Sequence, residues 1–139
     1  MASILGIMNT SISTEGASAS GSTASAAGSL SDADYQALSQ AALRHIEATL
    51  DAWLEDDVVD VDTHRTGGLL ELSLPGGSKI IVNTQPPLQE LWLAARSGGY
   101  HFRYVGGAWV NTRDGREFFA QLSQALSEQS GKSLRISAP

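Results

Sequence analysis

Residues 83–102 read NTQPPLQELWLAARSGGYHF, and this stretch decides the fold. A polar strand end leads into the Pro86-Pro87 step, which fixes the backbone and removes two hydrogen-bond donors. An apolar run around Trp92 follows, and the Gly98-Gly99 pair then turns the chain into an aromatic segment. The pattern predicts two strands of one antiparallel sheet, with Trp92 at the middle of that sheet.

Apolar and alternating runs on both sides of this stretch extend the predicted sheet to about six strands. Glycine pairs and the turn sequence Pro75-Gly76-Gly77 separate the runs, as hairpin connections require. In the first run, Val59, Val61 and Thr63 are expected on one face. The predicted strands cover residues 58–63, 70–74, 78–84, 88–95, 100–105 and 108–111.

Two helices are predicted, one before the strands and one after them. Ser31, with an acidic residue three positions later, is a typical N-cap, and apolar residues then recur at helical spacing until near Leu54. Asp114, with Glu117 three residues later, predicts the start of the second helix, and Gly131 its end. The apolar residues that follow are expected to fold back between the helices.

The predicted fold class is α+β, a two-layer α/β sandwich. Two helices at the chain ends have one sheet to bury against, so they should lie side by side on one face of it. The other face of an antiparallel sheet can stay in contact with water. We assign this domain to residues 31–139, and we expect residues 1–30, which are rich in Ser, Ala and Gly, to be a disordered leader.

Charge is distributed unevenly along the sequence. Residues 31–62 contain nine acidic residues and one basic residue, Arg44, which gives a net charge of −8. Residues 63–139 contain eight basic and five acidic residues, which gives +3. An acidic pole of this kind repels nucleic acid and anionic membranes, so we expect neither as a partner, and it attracts cations and basic protein surfaces. The sequence has no cysteine, which excludes disulfides and thiolate metal sites on this chain.

Seven of these acidic residues form the strongest candidate for a metal site, which we call the acidic ridge. They are Glu47, Asp51, Glu55, Asp56, Asp57, Asp60 and Asp62. Carboxylate oxygens without sulfur or clustered imidazole suit hard cations such as Ca²⁺, Mg²⁺, Mn²⁺, Fe²⁺ and Fe³⁺, and do not choose among them. The alternative is a solvated acidic face that keeps the protein soluble.

Trp92 is the second candidate site. Leu91 and Leu93 point to the opposite side of a strand, so if they meet the helices, the indole stands on the wet face. Exposed tryptophan is enriched in binding hot spots, whereas the alternative is that Trp92 packs under a loop. A catalytic site is a weak hypothesis, since the three histidines lack ligand spacing on one element and the glycine pairs lie in turns.

The order N-x-Q-x-P-x-x-E-L-W-L-A, with GG-Y-H-F close behind, resembles the signature of the frataxin family in its bacterial form. The resemblance implies the fold described above and iron binding on the acidic ridge. It also implies that Asn83, Gln85 and Trp92 belong to the sheet surface that frataxins present to the cluster-assembly machinery. His101 stands where eukaryotic members carry a basic residue, and we include it in this partner-binding set.

The function implied is a cytoplasmic, iron-binding adaptor that docks on the cysteine desulfurase and scaffold of iron–sulfur cluster assembly and adjusts its rate. Iron, as Fe²⁺ or Fe³⁺, is expected to bind weakly, because Ala48 and Ala52 replace acids found in related bacterial chains. The protein is expected to be a monomer that could oligomerise with iron, and not an enzyme. The alternatives are iron storage or delivery, weak oxidation of Fe²⁺ at the ridge, and an acidic interaction domain without metal.

Overall fold

The computed structural model describes residues 30–139, so the predicted leader lies, apart from Leu30, outside the described residues. Helix α1, Asp32–Glu55, begins at the predicted N-cap, where the Ser31 side chain accepts a hydrogen bond from the Asp34 N–H at 3.0 Å. Its buried stripe consists of Tyr35, Ser39, Ala42, Leu43, Ile46 and Leu50. No helix in the described part of the chain has both the length and the apolar character to cross a membrane.

The strands between the two helices form one antiparallel sheet in chain order. They are β1 (Asp62–Thr66), β2 (Leu69–Ser73), β3 (Lys79–Gln85), β4 (Glu90–Ala95), β5 (Gly98–Val105) and β6 (Ala108–Asn111). Helix α2, Phe118–Ser130, follows and packs with α1 against one face of the sheet. The predicted two-layer α+β sandwich is therefore confirmed.

The first strand begins later than the alternation predicted. Val59 and Val61 are buried, at 5% and 2% exposure, yet β1 starts at Asp62, which pairs with Ser73. Strand β2 ends at Ser73, and the chain turns directly after it, because the Leu74 N–H bonds to the Ser78 carbonyl oxygen. Residues 58–61 therefore alternate between exposed and buried, as in a strand, but no neighbouring strand among the described residues pairs with them.

The prediction that Gly98-Gly99 forms the turn between β4 and β5 was wrong. Both glycines belong to β5, because Gly98 pairs with Ala95 and Gly99 with Ala94, and residues 96–97 make the turn.

The starts of β4 and α2 also differ from the prediction. Strand β4 begins at Glu90 rather than at residue 88, because Pro86–Leu88 forms a 3-10 turn and Gln89 takes a left-handed conformation with φ of 53°. The N-cap of α2 is Glu117 and not Asp114: the Glu117 carboxylate accepts from two amides of the first turn, at 2.8 and 3.0 Å. The Asp114 carboxylate instead accepts a hydrogen bond from the Arg116 N–H in the preceding turn, and this bond lowers the pKa of Asp114.

The C-terminal segment packs between the helices, as predicted. After Gly131 ends α2, the Ser127 hydroxyl donates to the Leu134 carbonyl and accepts from its N–H, both at 2.9 Å. One turn earlier, Ser123 accepts from the Ile136 N–H at 2.9 Å. On the α1 side of this segment, a ring nitrogen of His45 lies 2.7 Å from the Ser137 carbonyl oxygen.

The Tyr35 hydroxyl joins α1 to the β3–β4 hairpin. It donates to the Glu90 carbonyl oxygen at 2.7 Å and accepts from the Gln85 N–H at 3.0 Å. Gln85 and Glu90 form the last pair of this hairpin, next to the proline turn. Tyr35 is 1% exposed, and burial raises the pKa of its hydroxyl above the ordinary value of 10.0. One buried side chain therefore satisfies two backbone groups at the end of the hairpin.

Helix α1 ends in a Schellman motif that has an aspartate where glycine is usual. The Val58 N–H bonds to the Trp53 carbonyl oxygen at 2.8 Å, and the Asp57 N–H to the Leu54 carbonyl at 3.2 Å. Asp57 has φ of 56°, in the left-handed region. A residue with a Cβ atom is strained there, so the Asp57 position in the acidic ridge carries a stability cost.

We expect Tyr35→Phe to lower the free energy of unfolding by about 1–3 kcal/mol, because it takes the hydroxyl partner away from a buried backbone carbonyl and a part-buried backbone N–H. Since folding raises the Tyr35 pKa, this residue stabilises the fold fully below pH 10.0, and the contribution is lost as the pH rises through the raised value. Urea unfolding between pH 7 and 11 would measure both effects.

Tyr100→Phe is the matched control, since the Tyr100 hydroxyl bonds to the exposed Ser97 hydroxyl and its loss should cost little. If the two variants unfolded at the same urea concentration, Tyr35 would not have the role described.

We expect Asp57→Gly to raise the free energy of unfolding by about 1 kcal/mol, because glycine adopts the left-handed conformation without strain. Asp57→Asn should give a smaller gain that comes from removing one charge. Asp56→Gly is the control: Asp56 has φ of −90°, so glycine there should destabilise. Guanidinium chloride unfolding measures all three variants. A loss of stability in Asp57→Gly would mean that the Asp57 carboxylate makes a structural bond.

Candidate functional site

The acidic ridge is distributed over three connected elements. Glu47, Asp51 and Glu55 lie on α1, Asp56 and Asp57 form its C-terminal cap, Asp60 lies in the link, and Asp62 begins β1. The helical members are four residues apart, which places them on one side of α1. All are exposed except Glu47, which is half-buried. The structure therefore arranges these residues as a surface, as their spacing predicted.

Arg65 neutralises one end of the ridge. Its guanidinium lies 2.7 Å from the Glu47 carboxylate and also bonds to the Gln40 side chain and, at 3.2 Å, to the Gly67 carbonyl oxygen. Side-chain exposure is 22% for Arg65 and 28% for Glu47, so this pair is better shielded from water than a surface pair. Among residues 30–139, Glu47 is the one ridge carboxylate with an ion-pair partner.

A lysine lies next to the part of the ridge that caps α1. The Lys132 ammonium, just after α2, donates to the Val58 carbonyl oxygen at 2.6 Å. Val58 directly follows the left-handed Asp57, so this bond holds the end of the Schellman motif against the chain after α2. The six ridge residues other than Glu47 are exposed to solvent.

The ridge does not form a metal cage. Within residues 30–139, no three His, Asp or Glu side chains converge closely enough to hold a metal ion together. Separated carboxylates attract cations through their summed charge, whereas tight sites need several oxygens at coordination distance. The geometry supports weak, exchangeable cation binding rather than a structural metal site.

The predicted partner-binding residues lie together on the wet face of the sheet. Asn83 pairs with Trp92 across β3 and β4, and Trp92 pairs with His101 across β4 and β5. Gln85 lies two residues beyond Asn83 on the same side of β3. Leu91 and Leu93 are buried at 0% and 1% exposure, which confirms that they face the helices while Trp92 faces away.

Trp92 is half-buried because His101 lies flat against it. The ring centroids are 4.2 Å apart and the ring planes differ by 5°, so the two rings are stacked. A shallow depression of about 180 Å³ lies next to this pair. It is lined by Ile81, Asn83, Trp92, Leu93, Ala94, Gly99, Tyr100 and His101. We call Trp92 and His101 the stacked pair.

Glu90 and Arg103 extend this cluster. The Glu90 Oε1 atom accepts from the Trp92 indole N–H at 2.8 Å, and Oε2 accepts from Arg103 Nε at 3.2 Å. The sequence-based prediction omitted both residues and also omitted Arg65. Strand alternation could have identified Glu90 and Arg103, because each is two residues from a member of the stacked pair. No local pattern relates Arg65 to Glu47, since they meet through tertiary packing.

Comparisons with known proteins identify the family of this chain. A family model described as the frataxin-like domain matches residues 28–132. A protein of Variovorax paradoxus named iron-sulfur cluster assembly protein CyaY is 48% identical over 109 residues, covering 78% of this chain and 99% of the relative. The protein of the same name from Burkholderia mallei is 46% identical, covering 78% of this chain and 100% of its own length.

Solved structures give the same result. The frataxin of Psychromonas ingrahamii has a TM-score of 0.68 and 32% identity, covering 78% of this chain and 100% of its own. A trimeric frataxin from the yeast Saccharomyces cerevisiae, solved in a ferrous complex, has a TM-score of 0.58 and 25% identity. It covers 75% of this chain and 89% of its own. The family model, these relatives and the matching fold show that this chain belongs to the frataxin family.

Proposed function

We propose that this protein is a cytoplasmic adaptor and regulator of iron–sulfur cluster assembly. It binds iron, as Fe²⁺ or Fe³⁺, weakly on the acidic ridge, and it docks on the cysteine desulfurase and its cluster scaffold. It modulates cluster formation without catalysing a step itself. The observation that carries the proposal is that one small domain presents two separate exposed surfaces, the acidic ridge and the sheet face around the stacked pair.

The role in cluster assembly rests on the relatives. The proteins that carry that name are nearly half identical to this chain and align over almost their whole length. The yeast relative, which is 25% identical in sequence to this chain, was solved in a ferrous complex, and this supports iron as the metal. The yeast relative is a trimer in its ferrous complex, so iron-dependent self-association is a second property to test, with the monomer as the resting form.

The chemistry of the ridge supports transient iron binding. Carboxylates are hard oxygen ligands, and those from Asp51 to Asp62 are exposed and close in sequence. Because Arg65 already pairs with Glu47, the cation-binding part of the ridge is shifted toward the C-terminal end of α1 and the link that follows. We expect the affinity to fall as salt rises, since the attraction is long-range and screened.

The sheet order converts the charge asymmetry of the sequence into a spatial one. Strands follow one another in chain order, so β1, which directly follows the acidic residues 55–60, lies at one edge, and β5, which carries Arg103, lies next to the opposite edge. A protein polarised in this way approaches a basic surface with its acidic edge first. The stacked pair then supplies the desolvated aromatic contact that slows dissociation.

We expect a titration with Co²⁺ as a paramagnetic probe, or with Fe²⁺ under anaerobic conditions, to broaden NMR signals from Asp51 to Asp62 first. Raising the ionic strength should reverse the broadening, because summed charge holds the cation. The double variant Asp56→Asn/Asp60→Asn should show weaker broadening at the same cation concentration. Glu128→Gln, on the exposed side of α2, is the control and should broaden as the wild type does. Broadening centred on Trp92 and His101 would contradict the assignment.

We expect Trp92→Ala and Asp60→Lys to weaken desulfurase binding in different ways. Asp60→Lys should chiefly slow association and reduce the salt dependence, because it alters steering. Trp92→Ala should speed dissociation, at a cost of about 2 kcal/mol, with the salt dependence nearly unchanged. Surface plasmon resonance at several salt concentrations reads both rate constants.

Desulfurase turnover, measured with and without this protein across a range of Fe²⁺ concentrations, tests the regulatory role. A change in turnover that depends on both the protein and iron supports the proposal. Iron uptake without any effect on turnover would favour storage or delivery, and an effect without iron binding would favour a metal-free interaction domain.

A further inference from the structure

Glu90 is a buried carboxylate on a sheet face that is otherwise wet. The residue is 6% exposed, although its neighbours on that face, His101 and Arg103, have side chains that are 48% and 56% exposed. A buried carboxylate is costly unless hydrogen bonds and opposite charges surround it. Glu90 must therefore have hydrogen-bond or charged partners that offset this cost. The side chains that act as partners are the ones whose positions the carboxylate can fix.

Both oxygens of Glu90 are engaged by the cluster around the stacked pair. Oε1 accepts the indole N–H of Trp92 at 2.8 Å and lies 3.7 Å from the Nδ1 atom of His101. Oε2 accepts from Arg103 at 3.2 Å. Within residues 30–139, the side-chain bonds of Glu90 all go to this face of the sheet, and its link to α1 runs through its backbone carbonyl.

These bonds fix the orientation of the indole. A tryptophan on an open sheet face can take several rotamers, but a hydrogen bond from its N–H to a buried, charged acceptor selects one. In that rotamer the ring lies flat on His101, with planes 5° apart. Holding an aromatic group in its binding orientation lowers the entropy that is lost when a partner docks.

We propose that Glu90 is the positioning residue of the sheet face, and that it presents the stacked pair in one orientation to the partner protein. This inference rests on the proposed docking on the desulfurase and scaffold. Because the indole N–H is used internally, the partner meets an aromatic surface and not a free donor. The complementary group on the partner is an apolar or cationic side chain rather than a hydrogen-bond acceptor.

The test compares Glu90→Leu, which removes the acceptor, with Glu90→Gln, which keeps an amide oxygen for the indole N–H. Glu71→Gln is the matched control: Glu71 lies on the same face in β2 and pairs with Lys79, away from the stacked pair. Trp92→Phe deletes the same hydrogen bond from the indole side, and it serves if Glu90→Leu does not fold. Trp92→Ala reports whether the sheet face docks at all.

NMR reads the orientation, through the indole N–H signal of Trp92 and the ring-current shifts of the His101 ring protons. Surface plasmon resonance with the cognate desulfurase and scaffold reads binding. We expect Glu90→Leu to lose the His101 ring-current shift and to dissociate about tenfold faster. Glu90→Gln should retain the shift and stay within about threefold of wild type, and Glu71→Gln should change neither measurement.

Three results would overturn the inference. The first is an unchanged His101 ring-current shift in Glu90→Leu, or in Trp92→Phe if Glu90→Leu does not fold. The second is a wild-type dissociation rate in Glu90→Leu while Trp92→Ala dissociates faster, which would leave the docking proposal intact and remove the role of Glu90. The third is wild-type binding by Trp92→Ala, which would overturn docking by the sheet face together with this inference.

Discussion

The hydrogen bonds of the Tyr35 hydroxyl fix the relation between the first helix and the sheet. They join α1 to both strands of the β3–β4 hairpin, at the pair formed by Gln85 and Glu90. A slip of one residue in this register would move every side chain of β4 to the opposite face. Trp92 would then enter the core and the flanking leucines would face water. The position of the stacked pair therefore depends on a contact made in the core.

The two candidate surfaces follow from two different periodicities. On β4, alternation directs Leu91 and Leu93 to the helices and Trp92 to the wet face. The same strand therefore sets the packing of the core leucines and the exposure of Trp92. On α1, a four-residue spacing aligns the acids on one side, and the Schellman motif at the end of the helix leads the chain into the remaining acids. The strained Asp57 fits a segment that is not optimised for stability alone.

Most of the architecture could be predicted from the sequence because it is encoded locally. The Ser31 cap, the helix end at Gly131 and the hairpin glycines each need information from a few neighbouring residues. The start of β1 could not be predicted in this way, because strand length depends on where its partner turns. The same holds for the pairing of Arg65 with Glu47, which lie 18 positions apart in sequence.

The site was predictable to a smaller extent than the fold. The residues expected on the wet face lie there, but the alternation does not reveal which neighbour is buried beneath them. Glu90 looks like any polar residue at a strand start, and its burial arises because Trp92 and Arg103 cover it from two strands. The roles of the acidic ridge and of the stacked pair in binding stay predictions.

The contact between Tyr35 and the hairpin also has a consequence for synthesis on the ribosome. Tyr35 and its acceptor at Glu90 are 55 positions apart, so this hydrogen bond cannot form until synthesis has reached β4. At typical elongation rates of 5–20 residues per second, the delay is about 3–11 seconds. During that interval the apolar stripe of α1 lacks the complete sheet that covers it in the folded protein. The acids on its exposed side give nascent chains a like charge, which opposes their association until the sheet arrives.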